Sequence, residues 1–206
     1  MKHYQLFLNG AWVDGEESIP VVNPAPAEPF ATVATVSAET VKQAVETAHG
    51  VLPRWSAQTA RTRGDYLLRM AAEVERRSDE IARLMTLENG KPLSESRTEV
   101  AASVDHLRWF AEEARRNYGR VVPQQDENKR HLVLHTPVGV VGAISPWNFP
   151  LMLAARKVAP ALAAGCPVVL KPSEQTPLCA LALAEAAEAA ELPAGVLQVV
   201  LGDAWH

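Results

Sequence analysis

Residues 4–36 alternate short apolar runs with Gly, Pro and Asn turn signals, as in Phe7-Leu8-Asn9-Gly10-Ala11-Trp12 and Ile19-Pro20-Val21-Val22-Asn23-Pro24. That pattern predicts an extended arm containing hairpins. From residue 38 the period changes: Val41, Ala44, Val45 and Ala48 recur at helical spacing over 38–51. Ser37 stands where an N-cap belongs, with Glu39 at the positive end of the helix dipole. Leu67, Met70, Ala71, Val74, Ile81, Leu84 and Met85 carry a helical stripe through 61–89, divided near Ser78 into two helices and closed by Gly90 with Pro92 just beyond. A further amphipathic helix is expected over 94–117 through Val100, Val104, Leu107, Phe110 and Ala114.

The second part of the chain reads differently. Residues 131–136, His-Leu-Val-Leu-His-Thr, alternate with period two, which predicts a half-buried strand whose apolar face must meet something. From Val138 onward an apolar run, a helix over 151–164, the run Pro-Val-Val-Leu-Lys, a helix over 178–191 and the run Val-Leu-Gln-Val-Val-Leu follow one another. Apolar strands joined by helices imply a parallel sheet covered on both faces. The fold class is therefore α/β: an N-terminal arm and helices, then the first half of a doubly wound, Rossmann-like parallel sheet. Pro160, inside the first crossover helix, removes one backbone hydrogen bond and predicts a kink or an early end there.

Composition narrows the partners. With 48% hydrophobic and 21% charged residues in 206, the chain is an ordinary globular one. A net charge of -4 gives no basic field, which argues against nucleic acid and anionic membrane as partners. The apolar run at the N-terminus is too short for a signal peptide, so the expected location is cytoplasmic. The two cysteines, Cys166 and Cys179, have neither metal-ligand nor Cys-x-x-Cys spacing and read as reduced, buried thiols.

In an open parallel sheet, ligands bind beyond the carboxyl ends of the strands, which directs attention to residues 145–150 and 171–177. The first loop, Ser145-Pro146-Trp147-Asn148-Phe149-Pro150, lacks the glycine-rich dinucleotide fingerprint and is too bulky for the usual close pyrophosphate approach. The second, Lys171-Pro172-Ser173-Glu174-Gln175-Thr176-Pro177, offers an acid for ribose hydroxyls and a lysine for a hydroxyl or phosphate. Its structural alternative is a Pro-bounded turn in which Ser173 or Thr176 caps the next helix.

Pro146-Trp147-Asn148-Phe149-Pro150, Ala161-Leu162-Ala163-Ala164-Gly165-Cys166 and Lys171-Pro172-Ser173-Glu174, in this order, resemble the aldehyde dehydrogenase superfamily. Phe7-Leu8-Asn9-Gly10 followed by Asn23-Pro24, the turn Glu88-Asn89-Gly90-Lys91-Pro92 and the stretch from Leu192-Pro193-Ala194-Gly195-Val196 to Gly202 extend the likeness over nearly the whole chain.

The resemblance implies three parts: an N-terminal arm and helical portion of the cofactor domain over 1–128, an oligomerisation-arm strand over 129–137, and a partial dinucleotide-binding βαβαβ unit over 138–206. It implies that Asn148 donates its side-chain N–H to the oxyanion formed when a cysteine thiolate attacks an aldehyde. Ile144, Ser145, Pro146 and Trp147 would line the cofactor cleft, and Lys171 and Glu174 would hold the adenosine ribose, with Ser173 beside them. Glu174 repels a 2′-phosphate and favours NAD, although Lys171 and Ser173 leave NADP open. In the semialdehyde-oxidising branch, such as the succinate-semialdehyde dehydrogenases, an Arg at the place of Arg156 holds the substrate carboxylate, a task suited to its planar fork. Its alternative is a solvated or phosphate-facing helix residue.

The family's nucleophilic cysteine, general-base glutamate and catalytic domain follow the point matching residue 206. The expectation is thus a truncated N-terminal part, inactive alone, from an enzyme whose complete form is a homo-oligomer and oxidises a small-molecule aldehyde. Its closing run, Gly202-Asp203-Ala204-Trp205-His206, departs from the family pattern. A non-catalytic nucleotide-binding or subunit-interaction module, or a non-functional remnant, are the competing readings. Apolar faces left without cover predict a sticky or poorly stable chain.

Overall fold

The computed structural model describes residues 1–202; the closing run at 203–206, and with it the end of the expected 138–206 unit, lies outside the described residues. The arm consists of β1 (Lys2–Tyr4), β2 (Leu6–Leu8), β3 (Ala11–Val13), β4 (Glu17–Asn23) and β5 (Glu28–Thr35). β2 and β3 form a hairpin through the two-residue loop Asn9-Gly10, both with positive φ (51° and 77°), as such tight turns require. β4 lies antiparallel to β5, and β1 parallel to its other side. The arm clasps the far end of the chain: the Asn9 N–H donates to Gln198 Oε1 (3.1 Å) and the Trp12 indole N–H to Glu188 Oε2 (2.8 Å).

Four helices follow: α1 (Ala38–Ser56), α2 (Ala60–Arg76), α3 (Ser78–Asn89) and α4 (Leu93–Glu113). Ser37 caps α1 by accepting the Thr40 N–H, and the break between α2 and α3 falls at Arg77, beside the expected Ser78. Gly90 closes α3 in the left-handed conformation, φ 84°. Helix α1 exceeds the expected 38–51 by more than a turn, continuing through Pro53. The expected 94–117 helix instead ends at Glu113, and Ala114–Arg116 tighten into a 3-10 turn. Leu67, Met70 and Val74 on α2 meet Val100, Val104 and Leu107 on α4 in one shared core.

Next come β6 (Arg120–Val122) and β7 (His131–Val133), an antiparallel ribbon. The expected half-buried strand over 131–136 is shorter and barely buried: Leu132 and Leu134 remain 66% and 75% exposed, because no other described element packs on this ribbon's apolar face.

The remainder is the expected alternation of strand and helix: β8 (Val141–Ile144), α5 (Met152–Ala164), β9 (Val168–Lys171), α6 (Leu178–Ala189) and β10 (Leu197–Val199). The three strands pair in parallel with β9 in the middle, and Val168 and Leu170 are fully buried. Helix α5 does not stop at Pro160 but runs on to Ala164. The missing proline N–H deprives only the carbonyl of Arg156, an exposed residue, while Val158, Ala159 and Leu162 are wholly buried.

Candidate functional site

The two candidate loops leave adjacent strands at the same end of the sheet. Ile144 and Lys171 are direct partners in the β8–β9 register, so their side chains stand on the same face. Just past that pair the Ser145 N–H donates to the Lys171 carbonyl (3.1 Å), carrying the pairing into the loops. Thr176 Oγ1 then donates to the Trp147 carbonyl (3.2 Å), tying the second loop to the first.

Two cavities open here. One of about 230 Å3 is lined by Ile144 and Lys171 together with Gly142, Val169, Val36 and Val41, and is almost wholly apolar apart from the lysine. The other, of about 500 Å3, is lined by Trp147, Glu174, Gln175 and Thr176 and by Pro20 and Asn89 opposite. Lys171 Nζ stands 4.0 Å from Glu174 Oε2, with side chains 32% and 40% exposed, a geometry that leaves the lysine and the acid free to bind other groups.

The expected residues differ in their surroundings. Ser145 is 3% exposed, and its Oγ has no hydrogen-bond partner among the described residues. A buried orphan hydroxyl costs about 1–3 kcal/mol, so a polar ligand group reaching this position would relieve it. Pro146 and Trp147 are exposed, and so is Asn148, whose side-chain amide makes no hydrogen bond among the described residues, unlike a turn-capping asparagine. Ser173 Oγ accepts the Gln175 N–H (3.2 Å), a local turn contact. Neither Ser173 nor Thr176 caps α6, contrary to the structural alternative for this loop. Arg156 projects from the second turn of α5, exposed and without an ion pair among the described residues, and lines neither cavity.

The caps come instead from distant glutamates that local sequence does not single out. Glu88 accepts the N–H groups of Leu178 (2.8 Å) and Cys179 (3.0 Å) at the start of α6. Glu99 accepts those of Leu151 (3.0 Å) and Met152 (3.1 Å) at the start of α5. Burial pushes the Glu88 carboxyl up to about 7 despite those hydrogen bonds. Cys179 is fully buried, and burial first, then the Glu88 charge, raises its thiol well above its ordinary range. Cys166 is 2% exposed. Both thiols are therefore buried, as expected.

The profile of the aldehyde dehydrogenase family matches residues 12–205. A glutarate-semialdehyde dehydrogenase of Pseudomonas putida is 46% identical over 202 residues, 97% of this chain and 42% of that protein. An NADP(+) succinate-semialdehyde dehydrogenase of Escherichia coli is 45% identical over the same shares. Among solved structures, an E. coli NADP dependent enzyme superposes with a TM-score of 0.97 at 44% identity, covering 99% of this chain and 43% of its own. A succinate-semialdehyde dehydrogenase from Burkholderia pseudomallei gives 0.95 at 43%, covering 98% and 42%. This chain thus spans about two-fifths of the length of the relatives it matches. With the family profile matching residues 12–205 and the whole fold superposing on these proteins, the chain belongs to the aldehyde dehydrogenase family.

Proposed function

We propose that this chain is the cofactor-binding part of an NAD(P)-dependent enzyme that oxidises an aldehyde, a semialdehyde foremost, to its carboxylic acid. The observation that carries the proposal is the meeting of the two loops: Ser145 to Asn148 and Lys171 to Glu174 joined across the strand ends, with an unpartnered buried hydroxyl and a free asparagine amide between them and solvent. Lys171 and Glu174 hold the adenosine ribose, with Ser173 beside them, and Ile144, Ser145, Pro146 and Trp147 line the cleft. The dinucleotide, when bound, supplies the hydride acceptor. Asn148 donates its amide N–H to the oxyanion produced when a thiolate adds to the aldehyde, a contact worth a few kcal/mol in comparable sites. Arg156, an exposed guanidinium without an ion pair among the described residues, receives the carboxylate of a semialdehyde. The names of the relatives, glutarate- and succinate-semialdehyde dehydrogenases, support that choice.

Glu174 favours NAD, because a 2′-phosphate beside its carboxylate meets like charge. Cys166 and Cys179 are sealed in the core, so neither serves as the nucleophile and the 206-residue chain alone has no turnover. A second reading, a subunit-interaction module, is favoured by one observation, the bare apolar face of the β6–β7 ribbon. Co-purification with a longer homologue, without nucleotide binding, would single it out.

Calorimetric titration of the chain with NAD and with NADP tests the proposal. The expected outcome is saturable NAD binding, weakened by Lys171→Ala, with Glu174→Gln narrowing the preference for NAD over NADP. Heat of dilution alone for both nucleotides would overturn the cofactor reading.

A further inference from the structure

The turn between α3 and α4, Glu88-Asn89-Gly90-Lys91-Pro92, is built against the loop that carries Asn148. Asn89 Nδ2 donates to the Trp147 carbonyl (2.9 Å), and Lys91 Nζ donates to the Asn148 carbonyl (2.9 Å). The same ammonium pairs with Glu99 Oε2 and stands 4.3 Å from the centroid of the Phe149 ring. Glu99 turns its other oxygen to the Leu151 and Met152 N–H groups. A lysine has three N–H donors, and here each has a destination: a carboxylate, a carbonyl and an aromatic face.

The Lys91 and Glu99 side chains are 10% and 1% exposed, so the pair works in a low dielectric where its hydrogen bonds are strong and directional. One buried ion pair therefore grips the loop at both ends, by the carbonyl of residue 148 and the amides of residues 151 and 152. Trp147, Asn148 and Phe149 are themselves exposed, so their own side-chain packing does little to fix the backbone around Asn148, and Pro150 is the first buried residue after it.

We propose that Lys91, anchored by Glu99, is a positioning residue for Asn148: its bond to the Asn148 carbonyl sets the peptide plane there and, with it, the direction in which the Asn148 amide projects. The functional meaning of this brace rests on Asn148 being the oxyanion donor, but the geometry it asserts does not. A donor displaced by about 1 Å costs on the order of a hundredfold in rate, which is the scale of what such a brace protects.

The test uses the 15N-labelled chain without nucleotide and reads the Asn148 side-chain amide resonances, assigned by their loss in Asn148→Asp. Lys91→Met alone would strand a buried carboxylate, so it is paired with Glu99→Gln; glutamine keeps an acceptor oxygen for Leu151 and Met152 and leaves no lone charge. The expected result is a shift and broadening of the Asn148 resonances, with those of Asn9 and Asn117 unmoved. An Asn148 pair that keeps its position in the folded double variant overturns the proposal.

Should the double variant lose its folded spectrum, Lys91→Arg is read by the same criterion, since it keeps the charge but replaces three diverging donors with a planar fork. A chain that fails to bind NAD in the separate titration sinks the cofactor reading while leaving this result standing.

Discussion

Glu88 and Cys179 meet across 91 positions of sequence: the Glu88 carboxylate accepts the Cys179 N–H at 3.0 Å, and with Leu178 it closes the N-terminus of α6. The contact joins the helical layer to the half of the chain that forms the sheet. It also makes the fold sensitive to pH. Burial holds the Glu88 carboxyl at about 7 against an ordinary 4.5, with the nearby Glu99 charge adding a smaller push. Between those values the folded chain keeps a proton that the unfolded chain has released. The stability tied to this group is therefore complete below about 4.5 and falls as pH rises toward about 7, by at most about 1.4 kcal/mol per pH unit. Urea midpoints measured across this window should decline for the wild type and flatten in Glu88→Gln. Parallel slopes would show that Glu88 is not the group responsible.

Two glycines give opposite expectations. Gly90 has φ 84°, and a Cβ there would lie 2.6 Å from Pro24 Cγ. Gly90→Ala should lower stability by about 1–2 kcal/mol for the backbone alone, with the clash adding to it. Gly50 is exposed within α1, and nothing stands within 4 Å of its missing Cβ. Gly50→Ala should raise stability by about 0.4–1 kcal/mol. Chemical denaturation of the two variants side by side checks both signs.

Much of this architecture is legible locally. Ser37, Asn9-Gly10 and Gly90 announce a cap, a hairpin and a helix end because each works through its immediate neighbours, and the strand-helix-strand run after Val138 is written in its apolar periods. What local pattern does not reveal is long-range. Glu88 and Glu99 look like surface acids of amphipathic helices, yet they cap α6 and α5, and α5 runs through Pro160, which leaves only the carbonyl of the exposed residue Arg156 without its helical donor. For the site, the loops at Ser145 and Lys171 follow from strand ends in a parallel sheet, whereas the brace from Lys91 depends on how two helices dock over them.

Arg156 separates a role in the fold from a role toward substrate. Being exposed and unpaired among the described residues, it should give a variant, Arg156→Ala, whose unfolding midpoint matches the wild type to within about 0.5 kcal/mol. In an enzyme that joins this chain to a catalytic half, the same change should raise KM for succinic semialdehyde relative to an uncharged aldehyde. An unchanged KM ratio would assign Arg156 to the solvated helix surface.

The β6–β7 ribbon predicts how the chain behaves in solution. Val121 and Leu132 are register partners and so share one face, Leu134 follows just past the end of β7, and the three are 75%, 66% and 75% exposed. A two-stranded ribbon is marginal on its own in water, and apolar area of this kind contributes about 25 cal/mol for each Å2 it hides. The ribbon therefore gains by covering that face, and a second copy of the chain offers a matching one. Sedimentation over a range of concentrations should show self-association that Leu132→Lys with Leu134→Lys suppresses. At concentrations low enough to keep the wild type monomeric, the double variant should melt no earlier, because both side chains are largely exposed. A wild-type chain that stays monomeric at every concentration and melts sharply would mean that the ribbon needs no cover, and that the exposed face is not where this chain meets another.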